Sequence, residues 1–184
     1  RMLNFSLFER RLIGVVSLAI METSMSSDPM TEQERFLALM ATFEAHWLTE
    51  TQLRLHLDTL HAREWMLDKG SLTQRLIDHC EGEFAVSLRG EDEGRPLRSE
   101  SRLLGLPECR LAIIREVDLL CRGIPLVFAR TVIPFSSLRG RTRSLAGLGS
   151  RPLGAMLFQD PTTRRETVQY AKIRPGQGLY VSAT

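Results

Sequence analysis

The chain has 184 residues, enough for one domain and some additional sequence, and it is 43% hydrophobic and 25% charged, which excludes wholesale disorder. A formal net charge of +2 excludes a strong global pull toward nucleic acid or a membrane surface. No apolar run approaches the ~20 residues needed to span a bilayer. Three cysteines, Cys80, Cys109 and Cys121, are odd in number and widely spaced, with no CxxC. They predict neither a disulfide framework nor a zinc site, and they fit a reducing, cytoplasmic compartment. Of 24 basic residues all but Lys69 and Lys172 are arginines, whose planar fork suits carboxylates.

Residue 1 is Arg. Arg10-Arg11 precede a short apolar stretch, Leu12 to Met21, which resembles the core of a signal peptide, but Glu9 interrupts the basic region and no A-x-A site follows. Residues 1–29 are therefore expected to be a disordered leader or upstream sequence, with Met21, Met25 and Met30 as candidate starts, and residues 30–184 to form the domain. Thr31-x-x-Glu34 predicts a capping box for a helix to about Ala45. A second helix is expected over Thr49 to Asp68, stopped by Gly70, and a third over Leu72 to His79, capped by Ser71. The texture then changes. Glu83 to Arg89 alternates as a strand, and Gly90 to Glu100 reads as a loop. Arg110 to Cys121 and Ile124 to Pro134 form a hairpin around Arg122-Gly123. Ser136 to Phe158 mixes helix and loop, and Thr162 to Ile173 and Leu179 to Ser182 read as strands. Helices followed by antiparallel strands predict an α+β fold, an antiparallel sheet with helices packed on one side.

The hairpin carries the chemistry. On its first strand Leu111, Ile113, Val117 and Leu119 share a face with Arg115. On the second, Arg130 interrupts the face of Ile124, Leu126, Phe128 and Val132. A two-residue turn would set Leu120 opposite Pro125 and Arg115 opposite Arg130. Two like charges on an apolar face repel, and burying them unpaired is costly. An anion between them would resolve this, each guanidinium gripping one carboxylate through two parallel bonds. The alternatives are a solvent-facing strand or internal acids pairing both arginines, and a slip of register would dissolve the pairing. Leu148 to Gly154 is glycine-rich, and Pro152 suits the start of a short helix whose amides can meet a carboxylate. Ser71-Leu72-Thr73 has the same potential. Eight basic and two acidic residues between Arg139 and Arg174 carry no nucleic-acid motif. His46, His56, His61 and His79 show no metal spacing, and no Ser-His-Asp set, phosphate loop or dinucleotide signature occurs.

Three ordered segments resemble the chorismate pyruvate-lyase family. Trp65-Met66-Leu67-Asp68-Lys69-Gly70-Ser71-Leu72-Thr73-Gln74-Arg75 is similar to its "W-L-x-x-x-S-[ML]-T-x-R" junction. Arg115-Glu116-Val117 with Gly123 to Pro134 is similar to its central hairpin, and Leu148 to Phe158 to its "L-G-x-x-P-L-G-x-x-L-F" segment. The resemblance covers roughly residues 47–184. It implies a cofactor-free, metal-free, cytoplasmic lyase that converts chorismate to 4-hydroxybenzoate and pyruvate for ubiquinone biosynthesis, monomeric when full length, with no nucleic-acid or membrane partner. It also implies that Arg115 holds the aromatic carboxylate as the catalytic residue, helped by the backbone amides of Leu72 and Leu153. Arg130 enters the substrate-binding set only through the strand-pairing argument. The family also carries a glutamate in a C-terminal "E-[LV]-F-L-P" strand that has no match here, which leaves activity in question. Glu166 does not match that position. An apparent C-terminal truncation would open a sheet edge and favour self-association. A rival reading is the effector-sensing domain of a bacterial repressor class, whose "R-x-x-x-x-D-G-x-P" hairpin is also similar to Arg115 to Pro134.

Overall fold

In the computed structural model, which describes residues 2–9, 14–20, 45–56, 65–68, 70–159, 163–174 and 177–183, six antiparallel strands form one sheet. In chain order they are β1 (Met2–Glu9), β2 (Gly14–Ile20), β3 (Phe84–Gly94), β4 (Ala112–Cys121), β5 (Ile124–Pro134) and β6 (Arg164–Lys172). The spatial order is β3-β4-β5-β2-β1-β6. Among the described residues five α-helices accompany them: α1 (Glu50–His56), α2 (Leu72–His79), α3 (Arg98–Leu104), α4 (Leu153–Gln159) and α5 (Gly178–Ala183). The helix expected from Thr31 to Ala45 lies outside the described residues, apart from Ala45 itself.

The β4–β5 hairpin is the best formed part of the sequence prediction. Arg122 and Gly123 both adopt positive φ, 52° and 77°, the mirror-image turn whose twist matches that of the flanking strands. Beside the turn the pairing is as expected, with Leu120 opposite Pro125. Beyond it the register slips, and Leu119 faces Val127. Leu126 is thus an extra residue on β5, next to Pro125, which has no N–H to give to the ladder. The slip sets Arg115 opposite Thr131 and Arg130 opposite Glu116. The two arginines therefore occupy opposite faces of the sheet, which overturns the predicted Arg115–Arg130 pair.

The α+β class with an antiparallel sheet is as expected, and helices flank both faces. On the Arg115 face, Val117, Leu119, Val127 and Ala129 pack with Leu72 and Leu76 of α2. Further along that face Ile113 and Ile133 pack with Leu153, Met156 and Leu157 of α4. The opposite face carries Ala112, Phe128 and Val132 against Leu104 of α3 and Leu179 and Ala183 of α5. Each fully buried aliphatic or aromatic side chain contributes about 1.5–3 kcal/mol. The stretch containing Leu179 to Ser182, expected as a strand, is instead helical. Leu179 and Ala183, four apart, bury one helical face. Part of the stretch expected as a loop is also ordered: β3 extends to Gly94, and α3 opens with the Glu100 carboxylate accepting from the Leu97 N–H at 2.7 Å.

Two strands fall within residues 1–29, where a leader was expected. Leu3, Phe5 and Leu7 alternate with Asn4 and Ser6, a period of two that suits a strand. β2 pairs with β5 and β1 with β6, so among the described residues β3 and β6 are the outer strands of the sheet. The cysteine expectation also fails. Cys80, at the end of α2, and Cys121, at the end of β4, form a disulfide with a Cα–Cα distance of 5.4 Å. Cys109 is free and exposed. Sequence spacing could not show this pair, because a helix and a strand 41 residues apart meet only through the fold.

Candidate functional site

Trp65, Asp68 and Arg75 build the entry to α2. The Arg75 guanidinium lies 4.4 Å from the Trp65 ring centroid and donates to Asp68 at 2.8 Å, while Asp68 also accepts from the Gly70 N–H at 2.7 Å. Ser71 then caps the helix by accepting from the Gln74 N–H. This cluster fixes where Leu72, the first residue of α2, presents its N–H. The first N–H groups of a helix have no intrahelical partner. α4 begins at Leu153 beside this point: a Cβ built on Gly154 would lie 2.8 Å from Thr73 Oγ1. Two helix starts thus meet, as the sequence required if Leu72 and Leu153 were to act on one ligand.

Arg115 lies on the sheet face below these helices. It is only 2% exposed. Its Nε donates to Gly149 O at 3.1 Å, and its Nη2 donates to Gly149 O at 2.7 Å and to Arg151 O at 2.9 Å. Both hydrogens of Nη2 are engaged, and Nη1 has no partner among the described residues. No carboxylate lies within ion-pairing distance of Arg115 among the described residues. Burial pushes its pKa below the ordinary arginine value, and the charge of Glu91 opposes that shift.

Arg130, expected to face Arg115 across an anion, is paired with carboxylates of the protein instead. It donates to Glu100 at 3.0 Å and to Glu116 at 2.6 Å, and Glu100 is wholly buried. Burial lowers the Arg130 pKa, but the two carboxylates more than offset this and hold it above the ordinary value. Internal acids pair this arginine on the face away from Arg115.

Sequence reasoning missed Glu91. Its carboxylate accepts from the N–H groups of Gly147, Leu148 and Gly149 at 2.9, 2.9 and 2.8 Å. Gly147 and Gly149 have φ of 77° and 58°, and these left-handed turns let successive amides converge on one anion. The glycine-rich amides expected to meet a ligand are therefore satisfied from within, and Leu153 is the first residue of the helix that follows them. Only the length of β3 could have revealed Glu91, and Gly90 and Gly94 hid it.

The chorismate lyase family model matches residues 41–182. The chain is 43% identical over 109 residues to the "probable chorismate pyruvate-lyase" of Aromatoleum aromaticum, covering 59% of this chain and 58% of that one. It is 36% identical over 122 residues to the protein of the same name from Nitrosospira multiformis, covering 66% and 68%. With the Azoarcus sp. protein of that name it shares 42% identity over 119 residues, 64% of this chain and 62% of that one. The matches span 58–68% of the length of these curated relatives. On the matched segment and the fold it forms, the chain belongs to the chorismate lyase family.

Proposed function

We propose that the chain binds chorismate on the Arg115 face of the sheet and eliminates its enolpyruvyl side chain, giving 4-hydroxybenzoate and pyruvate. One observation carries this: Arg115 is a buried guanidinium with no carboxylate partner among the described residues, between two apolar clusters and below two helix starts. A ring carboxylate would accept from Nη1 of Arg115 and from the N–H groups of Leu72 and Leu153, and the apolar clusters would flank the ring. Arg115 is thus the residue assigned to catalysis and, with Leu72 and Leu153, to binding. Arg130 takes no part. Because Arg115 is almost fully covered, ligand entry requires the segments around α2 and α4 to part.

In the reaction a ring proton is lost, the ring carbon–oxygen bond to the side chain breaks, and the ring becomes aromatic. The released enolpyruvate ketonises to pyruvate. No oxidant or reductant is consumed, and the proposal invokes no cofactor. Holding the ring in one orientation and stabilising its carboxylate supply the catalysis. The proposal includes a supply of 4-hydroxybenzoate to ubiquinone biosynthesis by a cytoplasmic monomer with no nucleic-acid partner. Among the described residues no helix is long and apolar enough to cross a membrane.

The test is to incubate the protein with chorismate and measure both products. Equal amounts of 4-hydroxybenzoate and pyruvate, above the uncatalysed rate, are expected. Chorismate left unchanged at that rate would contradict the proposal.

A further inference from the structure

We infer that Glu91 is a positioning residue for the carboxylate site: it clamps the Gly147–Gly149 loop so that the loop's carbonyls fix Arg115 and leave one edge of the guanidinium for the ligand. The inference rests on the proposed binding of an aromatic carboxylate at Arg115. It adds to that proposal a residue that touches neither the ligand nor, within ion-pairing distance, Arg115.

The geometry begins with an irregularity in β3. Leu88 faces Val117 on β4, but Gly90 faces Glu116, so Arg89 is an extra residue. Without this bulge Glu91 would face Ile114 and lie on the other side of the sheet. With it, Glu91 stands directly opposite Arg115. The displaced Arg89 is held on the far side, where it donates to Asp118 at 2.6 Å and to Ser182 O at 2.8 Å. Its guanidinium lies 5.1 Å from the Phe128 ring centroid. The bulge is therefore anchored.

The Gly147–Arg151 loop lies between the two opposite charges. Its amides at 147, 148 and 149 donate to Glu91, and its carbonyls at 149 and 151 accept from Arg115. The peptide dipoles are aligned between anion and cation, so each interaction supports the other. Arg151 adds to the loop's closure by donating to Leu148 O at 3.2 Å and to Gly147 O at 3.3 Å. Two consequences follow. First, the loop leads directly into α4, so Glu91 also sets the place of the Leu153 N–H. Second, the tied Nε and Nη2 leave Nη1 as the guanidinium donor with no bond among the described residues. If the loop loosened, Arg115 would lose this fixed orientation and ligand binding would have to restore it.

Glu91→Gln removes the charge and places an amide NH₂ near three N–H donors. The experiment titrates the wild type and Glu91→Gln with 4-hydroxybenzoate and with the neutral 4-hydroxybenzamide, and follows hydrogen exchange at residues 147–149. The expected result is a loss of about tenfold or more in affinity for the acid, little change for the neutral amide, and faster exchange at 147–149. Unchanged affinity for the acid in Glu91→Gln, with the wild type binding, overturns the inference and leaves the proposed function standing. Equal losses for both ligands also overturn it, because a merely structural role predicts them. A wild type that binds neither ligand overturns the proposed function itself, and the inference with it. Should Glu91→Gln not fold, Glu91→Asp, which keeps the charge but is one methylene shorter, is read by the same outcomes.

Discussion

Arg130 holds two carboxylates inside the protein, Glu100 on α3 and Glu116 on β4. Arg130→Met would leave both without their cation in a site where Glu100 has no access to solvent. Removing one partner of a buried ion pair costs about 3–5 kcal/mol. Urea unfolding should show a loss of that order, while affinity for 4-hydroxybenzoate in the folded protein should change little. Weakened binding at unchanged stability would place Arg130 back in the ligand site. Both arginines were legible as unusual, because each interrupts an apolar alternation. Their separate roles were not, because these depend on the one-residue slip after Pro125. The role of Glu91 was not legible: its partners lie 56 to 58 residues away and are backbone amides that no residue pattern identifies.

Where α2 and α4 meet, the two helix starts are held within ordinary contact by a glycine. Gly154→Ala would put a methyl group 2.8 Å from Thr73 Oγ1. Thr73 is β-branched and stiff, so it cannot simply swing away. Overpacking of this kind costs about 1–3 kcal/mol, and the strain should part the amides of Leu72 and Leu153. Weaker binding of 4-hydroxybenzoate is expected by calorimetry, with recovery when Thr73→Ala is added, since Thr73 Cβ itself is 3.6 Å away. A Gly154→Ala protein that binds as well as wild type would show that the junction does not shape the site. Among the helices, α2 could be read to the residue, because Ser71 and Gly70 mark its start chemically. α5 could not, since Tyr180 and Val181 favour strands locally, while in the fold Leu179 and Ala183 pack with Phe128 and Val132. α3 was hidden by the polar run before it, although Pro96 and Gly105 bracket it as a start and a stop.

At the scale of the whole molecule, one face of the sheet carries a neutralised arginine and the other an unneutralised one. Both elements that cover the unneutralised arginine are tethered. The Cys80–Cys121 disulfide joins the end of α2 to the end of β4, and Glu91 joins β3 to the loop before α4. The order β5-β2-β1-β6 keeps the interior of the sheet continuous. The sequence reading correctly placed the central hairpin and the two helix starts, because turn residues, caps and glycines act locally. It missed the contribution of β1 and β2 and the disulfide, which arise from contacts between distant segments. The central claim is that Arg115, buried and without a carboxylate partner among the described residues, holds an aromatic carboxylate. Calorimetric titration with 4-hydroxybenzoate, wild type beside Arg115→Ala, tests it most directly. The account predicts saturable binding at one site per chain, with affinity at least tenfold weaker in the variant, on the order of a lost charge-assisted hydrogen bond. Equal binding by both proteins, or none by the wild type, would contradict it.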